Sequence, residues 1–288
     1  MKTKKNLRLK DFILKKNLKI KGDDCFDNFS FLNNVLKRSL CFTNSDQQIP
    51  SNVSILITNQ KKHHTLKDIS IINSANPKET FYDILMNFLK LNNQSFYDLK
   101  KNQIHSSVKF EGSFHLGKNN IKIGKNCIIK NNVTINENTV IGDDCVIHEN
   151  VVLGSEGNNF QLINNSMQNI PHGGGLIISN NVVVLQNTII DRSFLSSPTK
   201  VGSYCLIDSN VKIGHGTQIG NKNIICTNTS IGGVSKIGDN NFIGIGVNII
   251  QSIIVKNNCF ICAGHTLVKN LESNTKIIDS IKSFNFKN

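Results

Sequence analysis

His215 stands between Gly214 and Gly216, the one place where this chain sets an imidazole between two glycines. An imidazole, with an unperturbed pKa near 6.5, can take up and return a proton at neutral pH, so proton transfer is the chemistry open to this segment. The flanking glycines would let a bound molecule come close to the backbone. A carboxylate to hold the ring has two candidates, Asp191 and Asp208, the second seven residues before His215. Glu156, Phe160 and His172 fall in an irregular stretch further upstream. The plain alternative for His215 is a solvent-facing turn residue.

What must position these groups is a repeat. Aliphatic residues recur every six positions at Ile123, Ile129, Ile135, Ile141, Ile147 and Leu153, and again without error from Val201 through Ile213, Ile231 and Ile249 to Leu267. Small or β-branched residues follow four positions later, as at Cys127, Cys145, Thr217 and Thr229. A period of six fits neither an α-helix nor an alternating strand. It fits a triangular solenoid in which each hexapeptide makes one flat side, the aliphatic residue points inward, and Asn, Asp or Gly turns the corner. The fold class expected is therefore mainly β: a left-handed parallel β-helix over 104–270. Two stretches break the period, Gly154 to Leu176 and Asp191 to Lys200. In a solenoid such breaks are loops thrown outward, where function concentrates.

Residues 1–103 lack the repeat and read as a small α/β domain. Leu7 to Asn17 is expected as a short helix, Val53 to Ile57 and Ile69 to Ile72 as strands, and Pro77 to Leu91 as an amphipathic helix. Residues 271–288 are expected as a tail holding one helix at most, around Ile277 to Ile281. His63-His64 should be solvated, and His265 structural.

The chain of 288 residues carries a net charge of +13, which points to an acidic partner or to a simply Lys-rich surface. No nucleic-acid motif accompanies it. Of eight Cys, only Cys259 and Cys262 are closely spaced, and no second pair or His cluster joins them, so no metal is expected. Thiols in a reducing cytoplasm are the simpler reading. No apolar run of about 18 residues exists to span a membrane.

The order of domains, a small α/β unit and then a hexapeptide β-helix, resembles the UDP-3-O-acylglucosamine N-acyltransferases of lipid A biosynthesis. Leu40-Cys41-Phe42-Thr43-Asn44 is similar to that family's nucleotide-domain strand. Gly154 to Phe160, Ile170-Pro171 and Ile189-Ile190-Asp191-Arg192 match further signatures in order, and Ile213-Gly214-His215-Gly216 sits where the family has its catalytic histidine. Three features depart from the pattern. Asn44 is followed by Ser45-Asp46-Gln47 instead of a base-stacking Tyr, Ser252 holds the place of a second histidine, and the C-terminal helical extension is reduced. Related nucleotide-sugar N-acyltransferases of deoxyaminosugar pathways use acyl-CoA.

The resemblance implies amide formation, in which a sugar amine attacks a thioester carbonyl and a thiolate leaves. His215 would be the base, oriented by Asp191 or Asp208. A backbone N–H near Gly232 or Gly233 would meet the oxyanion, and Gly246 and Gly264 would border the pantetheine arm. Phe42 would stack on a nucleobase and Asn44 would bond its edge. Glu156, Phe160, His172 and Asp191 would face the sugar. The expected partners are a nucleotide-linked amino sugar, acyl-CoA or an acyl carrier protein as co-substrate, and two further copies of the chain in a trimer. No permanently bound cofactor is expected. The shortened tail favours CoA and the basic surface favours the carrier. The rival class is a non-catalytic β-helix binding module.

Overall fold

The computed structural model describes residues 4–12, 20–22, 24–33, 35–163 and 165–278. Three parallel sheets form the sides of a prism. The first face runs from Gln103–Ile104 to Ile254–Val255 in eight strands, and the second from Lys109–Phe110 to Lys276–Ile277 in nine. The third runs from Phe114–Leu116 to Thr266–Leu267 in eight. Register is kept from coil to coil, as in Ile213 opposite Ile231 and Ile231 opposite Ile249. This is the left-handed hexapeptide β-helix that the six-residue period predicts.

The inward aliphatics make one continuous core from Ile121 to Leu267. Removing each such side chain from water contributes about 1.5–3 kcal/mol. The corners explain the abundance of Asn. Asn126, Asn132, Asn150, Asn187, Asn210, Asn228 and Asn240 all sit at positive φ, a region Asn tolerates better than most residues. Several also bond the next coil, as Asn132 does to Asn150 at 2.8 Å.

The leading domain is a five-stranded sheet in the order Ile20–Lys21, Ser70–Asn73, Val53–Thr58, Ser39–Thr43, Asn28–Phe29. Its first pair is antiparallel and the other three are parallel. Helix α1, Pro77–Leu91, buries Phe81, Ile84, Leu85 and Phe88 against it. The two breaks in the repeat fasten this domain to the prism. Ile163 and Ile170 from the first, and Phe194 and Leu195 from the second, enter the same apolar core as Phe29 and Phe88. Ser196 ties the junction, its hydroxyl accepting from the Phe29 N–H at 3.0 Å and its carbonyl from the Tyr97 hydroxyl at 3.3 Å.

Three expectations need correction. Leu7–Arg8 is a strand and Leu9–Asp11 a single 3-10 turn, while 13–17 lie outside the described residues. The solenoid continues past 270: Lys276–Ile277 pairs with Phe260–Ile261, because Ile277 still meets the core, and 279–281 lie outside the described residues. His63 is buried, with Nδ1 beside the Thr58 hydroxyl at 3.1 Å and Nε2 beside the Gln47 carbonyl at 3.2 Å. Those two partners draw it out of solvent.

Candidate active site

One edge of the prism, where the third face turns into the first, gathers the unusual residues. Both excursions leave from this edge, on successive coils, and the next turns along it are Gly214-His215-Gly216 and Gly232-Gly233-Val234. Backbone bonds lock the stack. The Val234 N–H donates to the His215 carbonyl at 2.8 Å, the Arg192 N–H to the Ser155 carbonyl at 2.9 Å, and the Gly216 N–H to the Thr199 hydroxyl at 2.8 Å.

His215 is half-buried in this column. Its ring meets Phe194 edge-on at 4.9 Å and His172 at 5.4 Å. Gly233 lies directly against the ring: a Cβ there would stand 2.7 Å from Cε1 and 2.9 Å from Nε2. Asp191 is 2 % exposed, and its Oδ1 accepts from the Ser155 hydroxyl at 2.6 Å and from Lys212 Nζ at 2.5 Å. Gly157 of the first excursion touches both groups, since a Cβ there would lie 2.7 Å from Asp191 Oδ2 and 3.2 Å from His215 Cδ2.

Burial pushes the His215 pKa below 6.5; the Asp191 carboxylate opposes that shift, and the Lys212 ammonium adds to it. The ring is therefore neutral at pH 7 and able to accept a proton. His172 is fully buried, and its pKa falls to about 4, through burial first and the neighbouring His215 second. Among the described residues, six of the eight buried polar atoms without a hydrogen-bond partner belong to residues of this edge or its excursions. They are Thr139 Oγ1, Asn159 Nδ2, both nitrogens of His172, Arg192 Nε and His215 Nδ1. Unpaired buried groups cost stability, and their concentration in one place marks a site shaped for something other than stability.

The expected site residues divide. His215, Gly232, Gly233, Asp191, His172 and Glu156 share this edge or its excursions, with Glu156 paired to Arg192 at 2.6 Å. Asp208 does not. The seven residues to His215 span a whole side of the prism, so Asp208 sits on the edge between the second and third faces. There it accepts from the Ser209 N–H at 2.7 Å and the Thr227 N–H at 3.1 Å and links two coils. Gly246 and Gly264 occupy that same other edge, at φ +66 and +76, with open space where a Cβ would go. Gly232 donates its N–H to the Ile249 carbonyl at 2.7 Å and so cannot serve an oxyanion; Gly233 joins that ladder through its carbonyl, which accepts from the Ser252 N–H at 3.0 Å, and its N–H is not among the donors to the next coil.

In the leading domain, Phe42 is half-buried and packs against the core, with Phe81 at 5.1 Å and Phe31 at 6.0 Å. Asn44 is exposed and lines a cavity of about 490 Å³ with Asn59, Asn76, Lys78, Glu79 and Gln161. That cavity opens at the carboxyl ends of two parallel strands and the start of α1, where ligands of open α/β sheets bind. Phe160 is exposed on the hairpin formed by Phe160–Ile163 and Ser166–Asn169. Phe194, Gly157 and Lys212 were not singled out by the sequence. An aromatic inside a repeat break was the available signal for Phe194.

Residues 120–155 match the family profile described as bacterial transferase hexapeptide (six repeats). No curated protein matches the sequence. Among solved structures, a UDP-N-acetylglucosamine acyltransferase is similar with a TM-score of 0.50 and 20 % identity, over 62 % of this chain and 70 % of its own. The UDP-N-acetylglucosamine O-acyltransferase of Moraxella catarrhalis RH4 gives 0.47 and 21 %, over 60 % and 67 %. The UDP-N-acetylglucosamine acyltransferase of Campylobacter jejuni gives 0.47 and 23 %, over 59 % and 68 %. The likeness is one of fold, and the profile match places the hexapeptide repeat of bacterial transferases in this chain.

Proposed function

We propose that this protein is an N-acyltransferase that moves an acyl group from a thioester to the amino group of a nucleotide-linked amino sugar. The observation that carries this reading is His215, a half-buried imidazole whose pKa burial lowers, on the edge where the α/β domain closes over the solenoid. The sugar nitrogen would bond to the thioester carbon, the carbon–sulfur bond would break, and His215 would pass the amine's proton to the departing thiolate. Asp191, fixed by Ser155 and Lys212, would hold the ammonium form of the acceptor beside the ring. The Gly233 N–H would meet the oxyanion. The cavity beside Asn44 would receive the nucleotide.

Acyl-CoA is the donor we favour, for a cell-surface polysaccharide sugar. A 3-hydroxyacyl carrier protein serving lipid A is the alternative. The outward side chains of the second face form an apolar row from Ile128 through Leu206 and Ile224 to Phe242 and Phe260, whose rings stack at 5.1 Å. Such a row is suited to burial between copies, in keeping with a trimer whose grooves would bring Gly246 and Gly264 to a donor. Among the described residues no helix is long and apolar enough to cross a membrane. The eight Cys fit the cytoplasm.

The test is thiol release from acyl-CoA and from acyl carrier protein, with UDP-, dTDP- and GDP-linked amino sugars as acceptors. Release that requires the free amine supports the reading. Release with acceptors that offer only hydroxyls would make the enzyme an O-acyltransferase, and no release with any pair would favour a binding module.

A further inference from the structure

The first excursion places a second imidazole behind the first. His172 has no solvent exposure, and neither ring nitrogen makes a well-formed hydrogen bond, the Ile170 backbone being only a weak acceptor for the ring. Its ring meets His215 at 5.4 Å with the planes 71° apart. Nδ1 of His215 is likewise buried and without a partner. The two imidazoles thus form one enclosed ring contact, walled by Phe194 at 6.0 Å from His172. An unpaired buried donor or acceptor costs stability. A Phe or Met would fill the same space without that cost, so the imidazole needs a role. The chain is also built to seat it. Gly173 permits contact with Leu89 of α1, and Gly174 with the Leu195 carbonyl, where any Cβ would collide.

We propose that His172 is a positioning residue that fixes the tautomer of His215. The inference rests on His215 being the base and supplies what that role requires. A neutral imidazole carries one proton, and the nitrogen that holds it is decided by the bond the other environment offers. A proton on His215 Nδ1, donated to an acceptor nitrogen of His172 through one internal water, leaves the lone pair on Nε2 for the substrate. Asp191 is poorly placed for this task. Its Oδ1 is held by Ser155 and Lys212, and the contact it shares with His215 through Gly157 is at the Cδ2 edge, opposite Nδ1. The groups acting on His172 are His215 itself, the Asp191 carboxylate, Arg192 and the Ile170 backbone, which accepts from the ring, so one ring nitrogen can donate there while the other stays an acceptor.

The experiment is nitrogen-15 NMR of the histidine rings at a pH well above 6.5, in the wild type, His172→Phe and His172→Gln, with His215 assigned by its loss in His215→Gln. The wild type should show His215 protonated on Nδ1 alone. His172→Phe should show a mixture of both tautomers and a kcat at least ten-fold lower with KM within two-fold. His172→Gln keeps an acceptor and should retain more of both properties. If His172→Phe does not fold, His172→Met supplies the apolar arm. An unchanged tautomer in the apolar variant, or a wild-type His215 protonated on Nε2, overturns the inference. The spectra need no substrate: a tautomer change without acyl transfer by the wild type would leave this inference standing and remove the proposed reaction.

Discussion

Gly233→Ala is a one-carbon perturbation aimed at the base without touching it. The new Cβ would stand 2.7 Å from His215 Cε1, 2.9 Å from Nε2 and 3.0 Å from Nδ1, whereas ordinary contact begins at 3.4 Å. The ring must retreat by about 0.7 Å at its nearest atom, and Phe194 and His172 limit the direction. The backbone at Gly233 is not in the left-handed region, so alanine itself is not strained there. A misplacement of about 1 Å in a reacting group costs roughly 10²-fold. We therefore expect kcat to fall between about ten-fold and 10²-fold, with the melting temperature changed by only a few degrees. The assay is thiol release, run as a double-mutant cycle with His215→Ala. If Gly233 acts by seating the ring, its substitution costs nothing further once the imidazole is gone. Turnover within two-fold of wild type in folded Gly233→Ala, or an equal loss in the His215→Ala background, refutes the reasoning.

Three other outcomes follow from the same geometry. Because burial lowers the His215 pKa, the acid limb of kcat/KM should have its midpoint below 6.5; a midpoint above 6.5 would contradict a desolvated base. His172 titrates near 4 in the fold and near 6.5 when unfolded, so the stability of its neutral form is complete above 6.5 and lost as pH falls toward 4, about 3 kcal/mol in all. His172→Gln should flatten that part of the unfolding free energy against pH, and an unchanged slope would remove the assignment. Ile224→Lys places a charge in the apolar row of the second face and should convert a trimer to monomers by light scattering; a wild-type monomer at micromolar concentration would exclude the trimer.

The solenoid was readable because each coil repeats one instruction. An aliphatic every six residues fixes the inward row, and Asn at the corners accepts the positive φ that a tight turn demands. The edges were readable in part. His215 and Gly233 lie eighteen positions apart, one full coil, so they must stack. Asp208, seven residues before His215, must by the same arithmetic lie a side away, whatever its chemical suitability. The contents of the excursions were not readable, since their positions depend on the leading domain. Phe42 looks like a presented aromatic in its strand, yet Phe31 and Phe81 pack on it and leave it half-buried. His172 looks like a loop residue among glycines, yet Gly173 passes so close to Leu89 that the loop, and the imidazole with it, lies buried beneath α1. Tertiary docking, not local pattern, decides such cases.

The most direct measurement is kcat for purified His215→Ala in the thiol-release assay, with circular dichroism and melting to confirm the fold. His215 is held on the prism edge by backbone bonds that do not involve its ring, so the fold should survive. Loss of a general base predicts a fall of about 10²-fold or more. A folded variant with near-normal turnover would take His215 out of the chemistry and the proposed site with it.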